Sequence, residues 1–422
     1  MTKYLDQTIQ SICESIRFDS SLSSPLEGMP FGKGAADCLN HFLSLAQNMG
    51  FETQNYDNYV GEVVFGDGTE EFAILAHLDV VPAGGGWTKD PFGGVVEDGK
   101  IWGRGAMDDK GPAIATLYAM KALKDEGFVP AKKIKLILGC NEECGWKCID
   151  HYNKVAHMPD EGFSPDANFP VIYAEKGILH VKVSFPIANA PFTRFCGGER
   201  VNMVCDFCQA DGSVNAERAQ TLGLTVQNGT LNSVGKSAHG STPEEGKNAI
   251  LPMLEYFAEN ADVQRVIACL FDDCYGLKTL QDETGALTLS PDVVTYENGA
   301  LTFLVDIRYP STVPLSAVRE KLDAFGVAYE EISHQAPLYN EKTGKLVSTL
   351  CDVYNECTGK KEAPIAIGGG TYARALKCGA AFGPEVEGEE VTIHQANEYV
   401  TVERVKLMLD VYKRAIERLT GK

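Results

Sequence analysis

The chain is short of positive charge for its size. Across 422 residues, 38 Lys and Arg stand against 58 Asp and Glu, a formal net charge of −20. Nucleic acids and anionic membranes are held mainly by clustered Lys and Arg, so neither is an expected partner. Long apolar runs are missing too. The most apolar stretches, such as Ile134 to Cys140 and Val171 to Ala174, are far too short to cross a bilayer. The opening Met1-Thr2-Lys3-Tyr4-Leu5-Asp6 holds no signal-peptide core, and a cytoplasmic location is the expectation. No internal repeat or low-complexity tract is visible. The 13 cysteines are odd in number and irregularly spaced. Cys205-x-x-Cys208 and Cys144-x-x-x-Cys148 each lack the second Cys/His pair of a structural zinc site, so reduced, mostly buried thiols are expected. What is present, 44% hydrophobic and 23% charged residues, is the composition of a soluble globular protein. At about 150 residues per domain the length suggests two or three domains.

Helical and strand signals alternate through the first 180 residues. Tyr4 to Ile16, Ala35 to Met49 and Gly111 to Glu126 read as helices, the last two closed by Gly50 and Gly127. Phe72 to Leu78 and Lys133 to Leu138 read as buried strands, and this alternation implies an α/β domain with a mostly parallel sheet. From about Leu179 the texture changes. His180 to Phe185 and Leu301 to Asp306 alternate in period two, as half-exposed antiparallel strands do, with helical patterns at Asn248 to Glu259 and Pro314 to Phe325. Lys345 to Cys357 and Val402 to Leu419 then return to helical periodicity. The expected architecture is an α/β domain made of residues 1–178 and 335–422, interrupted by an α+β module with an antiparallel sheet at 179–334.

Chemistry-bearing residues gather at a few strand and loop ends. In Ala73-Ile-Leu-Ala-His77-Leu-Asp79, a hydrophobic strand ends in His-x-Asp. Ligands of open α/β sheets sit at such carboxyl ends, and Asp79 stands where a carboxylate can take the imidazole N–H that a metal leaves free. A strand-end His capping a carbonyl is the plain alternative. Gly103-Arg-Gly-Ala-Met-Asp108-Asp109-Lys-Gly111 places two carboxylates among glycines just before a helix. One is accounted for as an N-cap; Asp108 is then a candidate ligand and Asp109 a cap or a support. Glu142 and Glu143 directly follow a core strand, where one can hold a cation while the other serves as general base. An acid-rich helix start would explain either alone. Asp166 sits at a turn tip, and His394 is a single His in a polar stretch before the last helix. Taken together, His77, Asp108, Glu143, Asp166 and His394 are oxygen and nitrogen donors able to hold two ions that share Asp108. Such a donor set suits zinc, with manganese or cobalt as alternatives. Two adjacent ions suit amide hydrolysis.

The ordered motifs resemble the co-catalytic zinc peptidases related to aminoacylase, carboxypeptidase G, acetylornithine deacetylase and succinyl-diaminopimelate desuccinylase. Within them, Ser164-Pro-Asp166-Ala-Asn-Phe-Pro170 is most similar to the PepV-type dipeptidases, where deacylases usually carry a Glu. The resemblance implies a zinc-peptidase fold with an inserted lid and two zinc ions bridged by Asp108. His77 and Asp166 complete one ion, Glu143 and His394 the other. It makes Glu142 the general base and Asp79 the carboxylate that orients His77. In the lid, Asn202, His239 and Arg308 resemble substrate-binding residues. His239 is suited to an oxyanion and Arg308 to a carboxylate, unless Arg308 is simply paired with Asp306. Gly369, Gly370 and Thr371 resemble a Gly-rich substrate loop whose N–H groups can meet an anion. The function implied is a zinc-dependent dipeptidase, as a monomer rather than a homodimer. Its substrate's free amine would be read by an acidic group near the metals. The alternatives are an N-acyl-amino-acid deacylase or desuccinylase on the same scaffold, or a non-catalytic binding relative.

Overall fold

The computed structural model describes residues 2–422, which divide into two compact units. The first comprises residues up to Tyr173, Asn340–Ile365 and Thr371–Lys422; the second comprises Ala174–Tyr339 and the short segment Ala366–Gly370. The division therefore falls a few residues from the boundaries expected at 178/179 and 334/335.

The first unit is built on a mixed sheet. Strands Lys133–Gly139, Glu71–His77, Glu161–Ser164 and Cys378–Ala381 lie side by side in that order, all parallel. Phe72 to Leu75 are completely buried, as a central parallel strand covered on both faces requires. The flanks depart from the mostly parallel expectation. Glu52–Tyr56 and Val60–Phe65 form an antiparallel hairpin, and Val60–Phe65 also runs antiparallel to Lys133–Gly139. The hairpin's turn is too short for a crossover, and Asp57 and Asn58 make it in left-handed conformations (φ 54° and 57°) that Asx residues tolerate.

Helices Thr2–Ile16, Lys33–Asn48, Lys110–Asp125, Lys345–Thr358 and Val402–Thr420 match the expected ones within one or two residues. Lys110–Asp125 is buried almost all round, and at its start the Gly111 backbone comes so close to the Ala106 carbonyl that a Cβ would sit 2.1 Å from the oxygen. A smaller three-stranded sheet, Val95–Glu97, Lys100–Trp102 and Tyr399–Thr401, ties the chain ahead of the Asp108 segment to the chain after His394.

The second unit is an eight-stranded antiparallel sheet with helices, in agreement with the α+β reading. Gly177–Pro186 pairs with Ala300–Tyr309 along its full length, its side chains alternating between core and solvent. The helix expected over 248–259 is shorter, Ile250–Tyr256, and a second helix, Ala261–Leu270, follows it. The Asn260 side chain starts that second helix by accepting the N–H of Asp262 at 2.9 Å, a cap that breaks one apparent helical pattern into two.

Candidate active site

Three neighbouring parallel strands deliver their carboxyl ends to the same edge of the first unit. His77 closes one strand, Glu142 and Glu143 follow the next, and Asp166 follows the third. Asp108 precedes the helix Lys110–Asp125, and His394 lies in the loop before Tyr399–Thr401.

These side chains converge. His77 Nε2 lies 3.0 Å from Asp108 Oδ1 and 3.5 Å from Asp166 Oδ2. His394 Nε2 lies 3.0 Å from Asp108 Oδ2 and 3.1 Å from Glu143 Oε1. The two oxygens of one carboxylate thus face two different imidazoles, each of which has one further carboxylate of its own. Ligand atoms of Glu142, His77 and Asp166 also lie within 4.8 Å of one another.

The protonation pattern fits a cation. His77 Nδ1 is 3.0 Å from the Asp79 carbonyl oxygen, which only accepts, so Nδ1 carries the proton of the neutral ring. Nε2 faces Asp108 Oδ1, and both buried atoms lack a hydrogen-bond partner. Against the opposing effect of burial, Asp108, Asp166 and Asp79 raise the His77 imidazole well above its ordinary pKa. These carboxylates call for a positive charge at Nε2, which a divalent ion supplies as well as a proton does. Burial pushes the Glu142 carboxyl well above its ordinary pKa, and Asp166, Glu143 and Asp79 add to this against the pull of His77. Burial and Asp108 likewise raise Asp166. Contacts with Asp108 and Glu143 push the His394 imidazole up to about 11. The cluster holds more acid than its imidazoles neutralise, and the donor set accommodates divalent metal.

Asp79 has other partners than expected, and Asp109 takes the second of its two readings, support rather than cap. The Asp79 carboxylate lies 3.5 Å from His77 Nδ1, farther than Asp79's own carbonyl. Its oxygens instead accept the backbone N–H groups of Glu142 (3.0 Å) and Glu143 (3.1 Å). Asp109 occupies the N-cap position, but its side chain makes no cap bond and accepts the backbone N–H of His77 at 3.1 Å.

Several contributors escaped the sequence reading. Glu398 and Arg104 form a buried ion pair beside the Asp108 segment, Nη1 to Oε2 at 2.8 Å. The Trp146 indole donates to Glu142 Oε1 at 3.0 Å. Tyr372, fully buried, meets the His77 and Trp146 rings edge-on and shares a hydrogen bond with Cys148. Glu385 is half-buried on a strand paired with Ala167–Asn168, the residues just after Asp166. Its carboxyl is pushed up to about 7 by burial and by Asp108 and Asp166, and it has no hydrogen-bond partner among the described residues. Arg104 and Glu398 lie inside segments the motif reading singled out; Glu385 carries no sequence signal.

Within the second unit, Arg308 is buried and its Nε and Nη2 bind both oxygens of Asp306 at 2.7 Å, while Nη1 donates to the Gly368 carbonyl at 3.2 Å. Pairing with Asp306, the plainer reading of this Arg, is therefore present, and one hydrogen on each Nη is left for another acceptor. His239 Nδ1 accepts the Ser241 N–H at 3.2 Å, which leaves Nε2 as its donor. The Asn202 N–H donates to Asp292 at 2.8 Å and its carbonyl accepts from Gly240. Gly369 and Gly370 belong to the second unit; Thr371, in the first, caps the turn Tyr372–Ala375 through the Ala373 N–H.

Comparison with known proteins agrees with the motif reading. The model of peptidase family M20/M25/M40 matches residues 73–418. The putative dipeptidase YtjP of Bacillus subtilis is 35% identical, with 98% of this chain and 97% of the relative covered. The Beta-Ala-Xaa dipeptidase of Lactobacillus delbrueckii subsp. lactis is also 35% identical, over 98% and 96%. Among solved structures, the aminoacylhistidine dipeptidase of Vibrio alginolyticus shares the fold at a TM-score of 0.62 and 16% identity, covering 98% of this chain and 97% of its own. A sequence match across most of the chain, full-length relatives and a converging acid–imidazole cluster lead to one conclusion: the chain belongs to peptidase family M20/M25/M40 and is a hydrolase of peptide bonds.

Proposed function

We propose that the protein is a metal-dependent dipeptidase whose centre is organised by Asp108. The observation that carries the reading is the division of its carboxylate, one oxygen 3.0 Å from His77 and the other 3.0 Å from His394. In this reading Asp108 would be shared between two ions, with His77 and Asp166 holding one and Glu143 and His394 the other. Zinc suits the mixed oxygen and nitrogen donors, and manganese or cobalt are compatible with them. Ions held by these residues would supply polarisation of the scissile carbonyl and acidification of water. Glu142, raised in pKa and aimed by Trp146, takes the proton of the attacking water and returns it to the leaving amine.

The relatives named as dipeptidases support a free-amine substrate. Glu385, an unpaired carboxyl acted on by Asp108 and Asp166, is the acidic group we assign to that amine. In the second unit, His239 and Arg308 are assigned to the oxyanion and the substrate carboxylate, with Asn202 and the 369–371 loop as further contacts; the free Nε2–H of His239 supports its donor role. A small peptide is the expected partner, handled by a monomer in the cytoplasm.

The test compares free-amine dipeptides with their N-acetylated or N-succinylated counterparts, with and without chelator. Chelator-sensitive cleavage of the free dipeptides is the expected result. Cleavage confined to the acylated substrates would overturn the reading in favour of a deacylase.

A further inference from the structure

We propose that Glu398 is a positioning residue of the metal centre, fixing the backbone from which Asp108 divides its two oxygens. The inference rests on the reading of Asp108 as a shared metal ligand. Glu398 is 1% exposed, and its carboxylate is saturated. Oε1 accepts the backbone N–H groups of Gly105 (3.1 Å), Met107 (2.9 Å) and Asp108 (3.2 Å), while Oε2 accepts from Arg104 Nη1 (2.8 Å). Its own carbonyl accepts the Gly103 N–H at 3.0 Å. Four of the six backbone N–H groups from Gly103 to Asp108 are thus held by one residue, while those of Arg104 and Ala106 go to the Pro91 and Gly103 carbonyls.

The same residue joins this segment to the two histidines. Arg104, held by Glu398, reaches the Ala83 carbonyl at 3.3 Å, on the chain that leaves His77 and Asp79. Glu398 itself stands four residues after His394, in a loop where His394 and Asn397 adopt left-handed backbone (φ 59° and 61°), a conformation enriched in both residue types. The Asn397 side chain anchors this loop by accepting from the Thr88 N–H at 2.9 Å.

A buried ion pair that merely staples the fold is the competing account. The strand pairing of Lys100–Trp102 with Tyr399–Thr401 already staples these chain segments. What Glu398 adds is three charge-assisted bonds to the peptide groups that aim Asp108, which neither pairing nor a neutral side chain reproduces. Outer partners of metal ligands commonly change metal affinity by about 10- to 100-fold when removed.

The experiment titrates metal-free protein with Co2+, reading stoichiometry by calorimetry and ligand geometry by the visible Co2+ absorption. Wild type is expected to bind two ions per chain. Glu398→Gln is expected to bind at least one of them about 10- to 100-fold more weakly, with a changed absorption band. Because that substitution leaves the Arg104 cation buried and unpaired, Glu398→Gln/Arg104→Met is measured beside it. The double variant is expected to recover the thermal stability of the metal-free protein while keeping the metal defect. Wild-type affinity and spectrum in a folded Glu398 variant, or a defect that vanishes in the double variant, would overturn the positioning role. Failure of the wild type to bind Co2+ would instead overturn the metal-centre reading beneath it.

Discussion

Asp79 Oδ1 accepts the backbone N–H of Glu142 at 3.0 Å, and Oδ2 of the same carboxylate accepts the next N–H, that of Glu143, at 3.1 Å. One side chain therefore sets the direction in which two adjacent glutamates leave the end of their strand. Asp79→Asn replaces one acceptor with a donor that faces an N–H group. The expected outcome is a fall in kcat of about 10- to 100-fold with the fold intact, measured by steady-state kinetics alongside circular dichroism. A kcat within twofold of wild type would show that the glutamate segment holds itself.

Glu142 touches the reacting water in the proposed reaction but completes neither His–Asp108 pair. Glu142→Ala should lower kcat on the order of 100- to 10,000-fold while the metal content per chain, measured by atomic emission, stays at the wild-type level. Loss of metal together with activity would make Glu142 a ligand.

Arg308 has two roles that separate experimentally. Its removal leaves Asp306, fully buried, without its bidentate partner. Arg308→Ala should cost about 3–5 kcal/mol of unfolding free energy in a urea titration. Arg308→Lys should restore part of that stability but not KM for dipeptides with a free carboxylate, because an ammonium lacks the planar fork. An unchanged KM in the Lys variant would confine Arg308 to the second unit's core.

Glu385 predicts selectivity between substrates. Glu385→Gln should raise KM for free-amine dipeptides by about tenfold or more, the size of one lost charge-assisted contact. KM for the same peptide without its amino group should stay where it is. Equal effects on both would show that Glu385 does not meet the amine.

Asp292 gives the second unit a pH dependence. Burial pushes its carboxyl up to about 7, Asp306 adds to this, and hydrogen bonds from Ser290 and the Asn202 N–H offset only part of it. An unfolded Asp titrates near 3.9, so between these values the folded chain holds a proton that the unfolded chain has lost. Stability falls as pH rises through that window, by at most a few kcal/mol from this group. Denaturant unfolding from pH 4 to 8 should show a shallower decline for Asp292→Asn than for wild type. Parallel curves would remove Asp292 as the cause.

Local sequence was informative wherever chemistry coincides with a strand end or a helix start. His77 after a run of buried apolar residues, paired glutamates after the next strand and Asp108 ahead of an apolar helix all announce themselves, because short-range patterning sets where strands stop. The family resemblance added the distant His394, which carries little signal alone. Other features depend on which segments the fold brings together. That one Asp108 oxygen faces His77 and the other His394 requires residues far apart in the chain to pack around a single carboxylate. The Asp79 carboxylate turns to the Glu142 and Glu143 backbone because two neighbouring strands end side by side, and no spacing within the His-x-Asp motif encodes that. Glu398 hangs the Asp108 segment from the far end of the chain, and Glu385 reaches the acidic cluster through a strand pairing with Ala167–Asn168. Sequence alone determined the chemical types of the donors and the elements that carry them; tertiary structure decided their partners, because hydrogen bonds and ion pairs depend on distances in space rather than along the chain.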